Sequence, residues 1–81
     1  MNNPSPRVRF LTNALLRITL PNGTEEERLF VSGSFHTVKE VQKYPDGYVD
    51  ILLKDGATVS GLKVDGVLEL HGNVKVVSVA Q

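Results

Sequence analysis

The chain has 81 residues, 41% of them hydrophobic and 22% charged, which fits one globular domain and excludes a disordered chain. Nine Lys and Arg balance nine Asp and Glu, so net charge neither draws the chain to phosphate-rich partners nor resists self-association. There is no cysteine, which rules out disulfide staples, thiol chemistry and Cys-based zinc sites.

Met1-Asn2-Asn3-Pro4-Ser5-Pro6 opens the chain without a basic segment leading into an apolar one, so it does not read as a signal peptide. Residues 1–6 are expected to form a mobile tail, and residues 7–81 a single small β domain. Met1 reads as the start of a complete small gene product. No apolar run approaches the roughly 20 residues of a membrane helix, and a cytoplasmic protein with no membrane partner is expected.

Turn signals then recur along the chain: Asn22-Gly23, Gly33, Pro45-Asp46-Gly47, Asp55-Gly56, Asp65-Gly66 and Gly72-Asn73. The segments between them are rich in β-branched, aromatic and other apolar residues. This predicts strands at 7–11, 15–20, 27–32, 35–44, 48–54, 57–60, 67–70 and 73–79. Asn13 offers a cap for one helical turn over Asn13–Arg17. The alternation of Leu16, Ile18 and Leu20 favours a strand instead.

A three-residue loop Thr12-Asn13-Ala14 pairs the first two strands with Phe10 facing Leu16 and Arg9 facing Arg17. It leaves Val8, Phe10, Leu16, Ile18 and Leu20 on one apolar face. In a second hairpin, Tyr44-Pro45-Asp46-Gly47-Tyr48 forms a type I turn, with Tyr44 facing Tyr48 and Val41 facing Ile51. Val41, Val49, Ile51 and Leu53 then lie inside, while Gln42, Tyr44, Tyr48 and Asp50 lie outside. Val38 reaches the core only if a bulge sits near Lys39-Glu40. The similar stretches Leu53-Lys54-Asp55-Gly56 and Leu62-Lys63-Val64-Asp65-Gly66 read as repeated turn chemistry.

The expected fold is all-β: a small barrel or roll of short antiparallel strands with little or no helix. Val31-Ser32-Gly33-Ser34-Phe35-His36-Thr37-Val38-Lys39-Glu40-Val41, followed by Tyr48-Val49-Asp50-Ile51-Leu52-Leu53-Lys54-Asp55-Gly56, resembles the small SH3-like barrels. In these a glycine often precedes a bent strand, and a hairpin follows. The resemblance covers about residues 31–56 and implies a binding module, with no residue roles to carry over.

The histidines, His36 and His71, sit in no nucleophile motif, and two histidines without cysteine make a poor structural zinc site. Asp46, Asp55 and Asp65 belong to Gly-containing turns, and Asp50 completes no calcium loop. The glycines form no phosphate-binding pattern. No enzyme, no metal and no cofactor is therefore expected.

Arg7, Arg9 and Arg17 stand in the first twenty residues without an acid among them. Either Glu25-Glu26-Glu27 compensates them or an anionic ligand does. Tyr44 and Tyr48 are candidate binding anchors. The leading expectation is a non-enzymatic interaction module that binds protein and self-associates. The alternatives are a nucleic-acid-binding module using Arg7, Arg9 and Arg17 with Tyr44, Tyr48 or Phe35 as stacking platforms, and a viral or mobile-element accessory protein. The valine-rich segment 73–79 has apolar residues on both faces, so Val77 and Val79 are expected in a homo-oligomer interface unless the strand is central.

Overall fold

Eight alternating segments bounded by turn residues become eight strands in the computed structural model, which describes residues 5–80. They are β1 (Arg7–Phe10), β2 (Ala14–Thr19), β3 (Glu25–Phe30), β4 (Phe35–Lys43), β5 (Tyr48–Leu53), β6 (Thr58–Lys63), β7 (Leu68–His71) and β8 (Val76–Ser78). No helix occurs among the described residues. The all-β expectation holds, and each expected strand has its counterpart.

The strand order is β3-β2-β6-β5-β4-β1-β7, with β8 added in parallel to β4. Among the described residues β3 and β7, at the two ends, do not pair, so the sheet curls without closing into a barrel. Its concave side holds one core. Val8, Phe10, Ile18, Phe30, Val41, Val49, Ile51 and Val59 are essentially sealed from solvent. Phe10 and Phe30 stack at its centre with ring centroids 4.6 Å apart.

The β4–β5 hairpin has the expected register: Val41 faces Ile51, and Gln42 faces Asp50. Tyr44 N–H donates to the Tyr48 carbonyl at 2.9 Å, and Gly47 N–H to the Tyr44 carbonyl at 3.0 Å. The register shifts between Val38 and Glu40, and this bulge returns Val38 to the core.

The first hairpin does not form. β1 pairs with β4 and β7, whereas β2 pairs with β3 and β6. The chain turns a corner at 11–13, where Asn13 Oδ1 accepts the Ser32 N–H at 2.8 Å. Val8, Phe10 and Ile18 still reach one core, but from different parts of the sheet. Two physical reasons favour this solution. Asn22-Gly23 closes a local β2–β3 hairpin in which six residues of each strand pair in sequence. It also avoids opposing Arg9 to Arg17, because Arg9 faces Glu69 and Arg17 faces Glu27.

β6 runs further than its turn-like sequence suggests. Gly61 has φ +73° inside the strand and sits beside a register shift between Val49 and Ile51 of β5, a bulge that glycine accommodates without strain. Residues 1–4 of the expected tail lie outside the described residues. The Pro6 carbonyl accepts the Val38 N–H at 3.0 Å.

Candidate functional site

Strand alternation creates the strongest polar cluster. Val8 and Phe10 point into the core, so Arg7 and Arg9 point out. β4 lies on one side of β1 and sets Phe35 opposite Arg9; β7 lies on the other and sets Glu69 opposite Arg9 and His71 opposite Arg7. Phe35 is 43% exposed, unusual for a phenyl ring on a strand.

The Arg7 guanidinium lies 4.4 Å from the Phe35 ring centroid and that of Arg9 lies 5.9 Å from it. His71 meets the same ring edge-on at 5.1 Å. Glu69 engages Arg9 at 3.7 Å and His71 Nε2 at 3.1 Å. Arg7 has no carboxylate within salt-bridge distance among the described residues. Its charge is balanced only by the ring's π face.

Phe35 also lines an open hollow of about 280 Å³ whose lining includes Arg28, Lys54, Thr37 and Asp55. His36 forms its inner wall, packed edge-on against Phe10 and Phe30, with Nε2 3.0 Å from Ser34 Oγ. Burial, and then the charge of Arg28, pushes the His36 pKa below its ordinary 6.5, so the imidazole is neutral at pH 7. The exposed ring is thus flanked by more cations than carboxylates. Such a surface suits a planar ligand that carries negative charge.

Arg17 does not join this face. It lies on β2, facing Glu27 and paired with Glu25 at 3.6 Å. Tyr44 and Tyr48 oppose each other at the hairpin tip but serve different neighbours. The Tyr44 hydroxyl donates to Asp50 Oδ2 at 2.8 Å, and this bond, with burial and the nearby aspartates, raises its pKa above 10. Tyr48 lies under the Lys63 ammonium, 4.9 Å from its ring centroid.

Val77 and Val79 are half-buried where β8 lies along β4, and the more exposed valine of that strand is Val76. Sequence reasoning missed a second apolar group: Leu15 and Leu29 face each other across β2 and β3 at 63% and 58% exposure, with Val31 nearby in sequence at 53%. Its only signal was Leu15 and Leu29 themselves, on an outer parity that otherwise carries Arg17, Thr19, Glu25 and Glu27. Among the described residues no group of three or more His, Asp or Glu is placed to hold a metal ion. No helix there is long and apolar enough to cross a membrane.

No family model and no solved structure matches the chain, so the likeness to SH3-like barrels rests on strand layout alone. The chain is 36% identical over 74 residues to a protein of Humulus lupulus named acetate–CoA ligase, an alignment that takes in 83% of this chain and 13% of that protein. The chain thus spans about an eighth of the curated relative's length. That relative is an enzyme by name, and this match contradicts the expectation of no enzyme.

Proposed function

We propose that the chain is a β module of an acid–CoA ligase and that the face built from Arg7, Phe35 and Arg9 binds the nucleotide end of CoA. The observation that carries this reading is the exposed Phe35 ring with the Arg7 guanidinium 4.4 Å over it. CoA carries an adenine, a ribose phosphate and a diphosphate. An aromatic ring with flanking guanidiniums offers stacking and charge-assisted hydrogen bonds to those groups. The name of the Humulus lupulus relative supports CoA among phosphorylated nucleotides. A longer nucleic-acid track is less well supported, because Arg17 is set apart on β2 and paired with Glu25.

Titration of the full chain with CoA at low salt, followed by calorimetry, tests the reading. Saturable binding is expected, weakening with added salt as screening grows. Phe35→Ala should lower affinity by roughly five- to a hundredfold, the range of a stacked base. Arg7→Ala should weaken CoA binding more than adenosine binding. Absent binding, or binding indifferent to Phe35→Ala, sinks it.

A second reading, protein docking that includes self-association, draws on the exposed Leu15, Leu29 and Val31 and on the outer edge of β8, unpaired among the described residues. Light scattering after size exclusion tests it. A mass above the monomer, reduced by Leu29→Asp or by Val77→Lys, supports docking through the corresponding surface.

A further inference from the structure

β3 ends the strand order and pairs with β2 alone, so its other edge is open among the described residues. The β2–β3 turn shows which peptide groups that edge carries. Leu20 N–H donates to the Thr24 carbonyl at 2.8 Å, which makes Leu20 and Thr24 a hydrogen-bonded pair. Such pairs recur at every second residue of an antiparallel ladder, here Ile18–Glu26, Leu16–Arg28 and Ala14–Phe30. Glu25, Glu27 and Leu29 therefore present their N–H and C=O groups to the open edge. The Val31 N–H extends the row, because the Phe30 carbonyl in the same peptide unit points back toward Ala14. The Val31 carbonyl is already taken by the Ser34 N–H at 3.0 Å. Leu29 and Val31, exposed at 58% and 53%, stand along this edge with Leu15 of β2 beside Leu29.

We infer that this edge joins a second copy of the chain, the two β3 strands running antiparallel about a two-fold axis at Leu29. Leu29 then opposes Leu29 of the other copy, and Glu27 opposes its Val31. Four backbone hydrogen bonds form: two between the Leu29 residues, and one from each Val31 N–H to the other copy's Glu27 carbonyl. The outer face gains a continuous row of Leu15, Leu29 and their two symmetry mates. Charge selects this register. It sets no carboxylate opposite another, whereas a shift of the axis to Glu27 would oppose two glutamates. Arg28, on the inner face, keeps its own Glu26 at 3.7 Å. The zero net charge of the chain adds no repulsion between copies. The dimer is one form of the protein docking considered above and rests on that reading.

Sedimentation equilibrium of the full chain, from micromolar to millimolar concentration, should give a monomer–dimer equilibrium. Leu29→Lys places two ammonium groups across the axis and should weaken the dimer by about tenfold or more, with an unchanged circular dichroism spectrum. The chain has no cysteine, so single substitutions can be cross-linked cleanly. Leu29→Cys should form a disulfide dimer in air, because opposed residues of such a pair have Cα atoms about 5.5 Å apart. Leu15→Cys should not, since its mate lies three strand spacings away, about 14 Å. A dimer that withstands Leu29→Lys would refute the β3 edge while leaving docking through another surface intact. Cross-linking of Leu15→Cys as readily as Leu29→Cys would mean sheets packed face to face, which also refutes it. A monomer mass at every concentration removes the second copy altogether, and with it self-association.

Discussion

Ile51→Ala probes the inside–outside assignment of the central hairpin most directly. Ile51 is 1% exposed on β5, between Val41 of β4 and Val59 of β6, each also 1% exposed. Truncation removes three buried carbons, at about 0.8 kcal/mol each. A residual void of roughly 40 Å³ adds about 1 kcal/mol. The expected loss is therefore about 3.5 kcal/mol, a large share of the roughly 4–12 kcal/mol typical for a domain of this length. With an m-value of about 1 kcal/mol per molar urea, the unfolding midpoint should fall by about 3.5 M. The chain has no tryptophan, so far-UV circular dichroism is the readout. Tyr48→Ala is the control. Tyr48 is 40% exposed, and its removal costs only partial ring burial and the Lys63 contact, about 1–1.5 kcal/mol. If Tyr48→Ala proved more damaging than Ile51→Ala in a monomer, the inner and outer faces would be misassigned.

Gly56→Ala should destabilise by more than about 1 kcal/mol, because Gly56 has φ +95° and an added Cβ would lie 2.9 Å from Pro21 Cγ; an unchanged urea midpoint contradicts that crowding. Burial lowers the His36 pKa below its unfolded value of 6.5, so the unfolded chain takes up the proton first. Stability should be full above pH 6.5 and fall as pH drops from there towards the folded pKa, and His36→Gln should flatten that slope in urea midpoints measured across pH. Asp50→Asn should bring Tyr44 ionisation back towards pH 10 in an ultraviolet titration, since the hydrogen bond to Asp50 is the largest cause of its upward shift.

Local chemistry made much of this fold legible. Gly47 and Gly56 mark reversals because both take positive φ, and the Tyr44–Tyr48 register follows from a turn of fixed length. What stayed hidden was the choice of distant partners. Val8 and Phe10 show the same alternation whether they pair with β2 or with β7, and periodicity cannot tell these apart. The opposition of Arg9 to Arg17 was the one local sign of a wrong pairing. Gly61 lacks a neighbouring Asn or Asp, so its bulge within β6 left no turn signature. At the candidate site, Arg7, Arg9 and Phe35 were separately visible as cations and a stacking ring, but their convergence depends on β1 lying beside β4.

β4 carries β5 along one edge and both β1 and β8 along the other. The earliest strand, β1, finds its second neighbour only in β7, near the opposite end of the chain. Contacts of such high sequence separation make for slow folding, because much loop entropy is lost before they form. During synthesis, Arg7 to Phe10 leave the ribosome long before Leu68 to His71, and until then β1 has an unfilled edge and an uncovered valine and phenylalanine. A truncation before Leu68 should therefore yield insoluble protein rather than a smaller folded one.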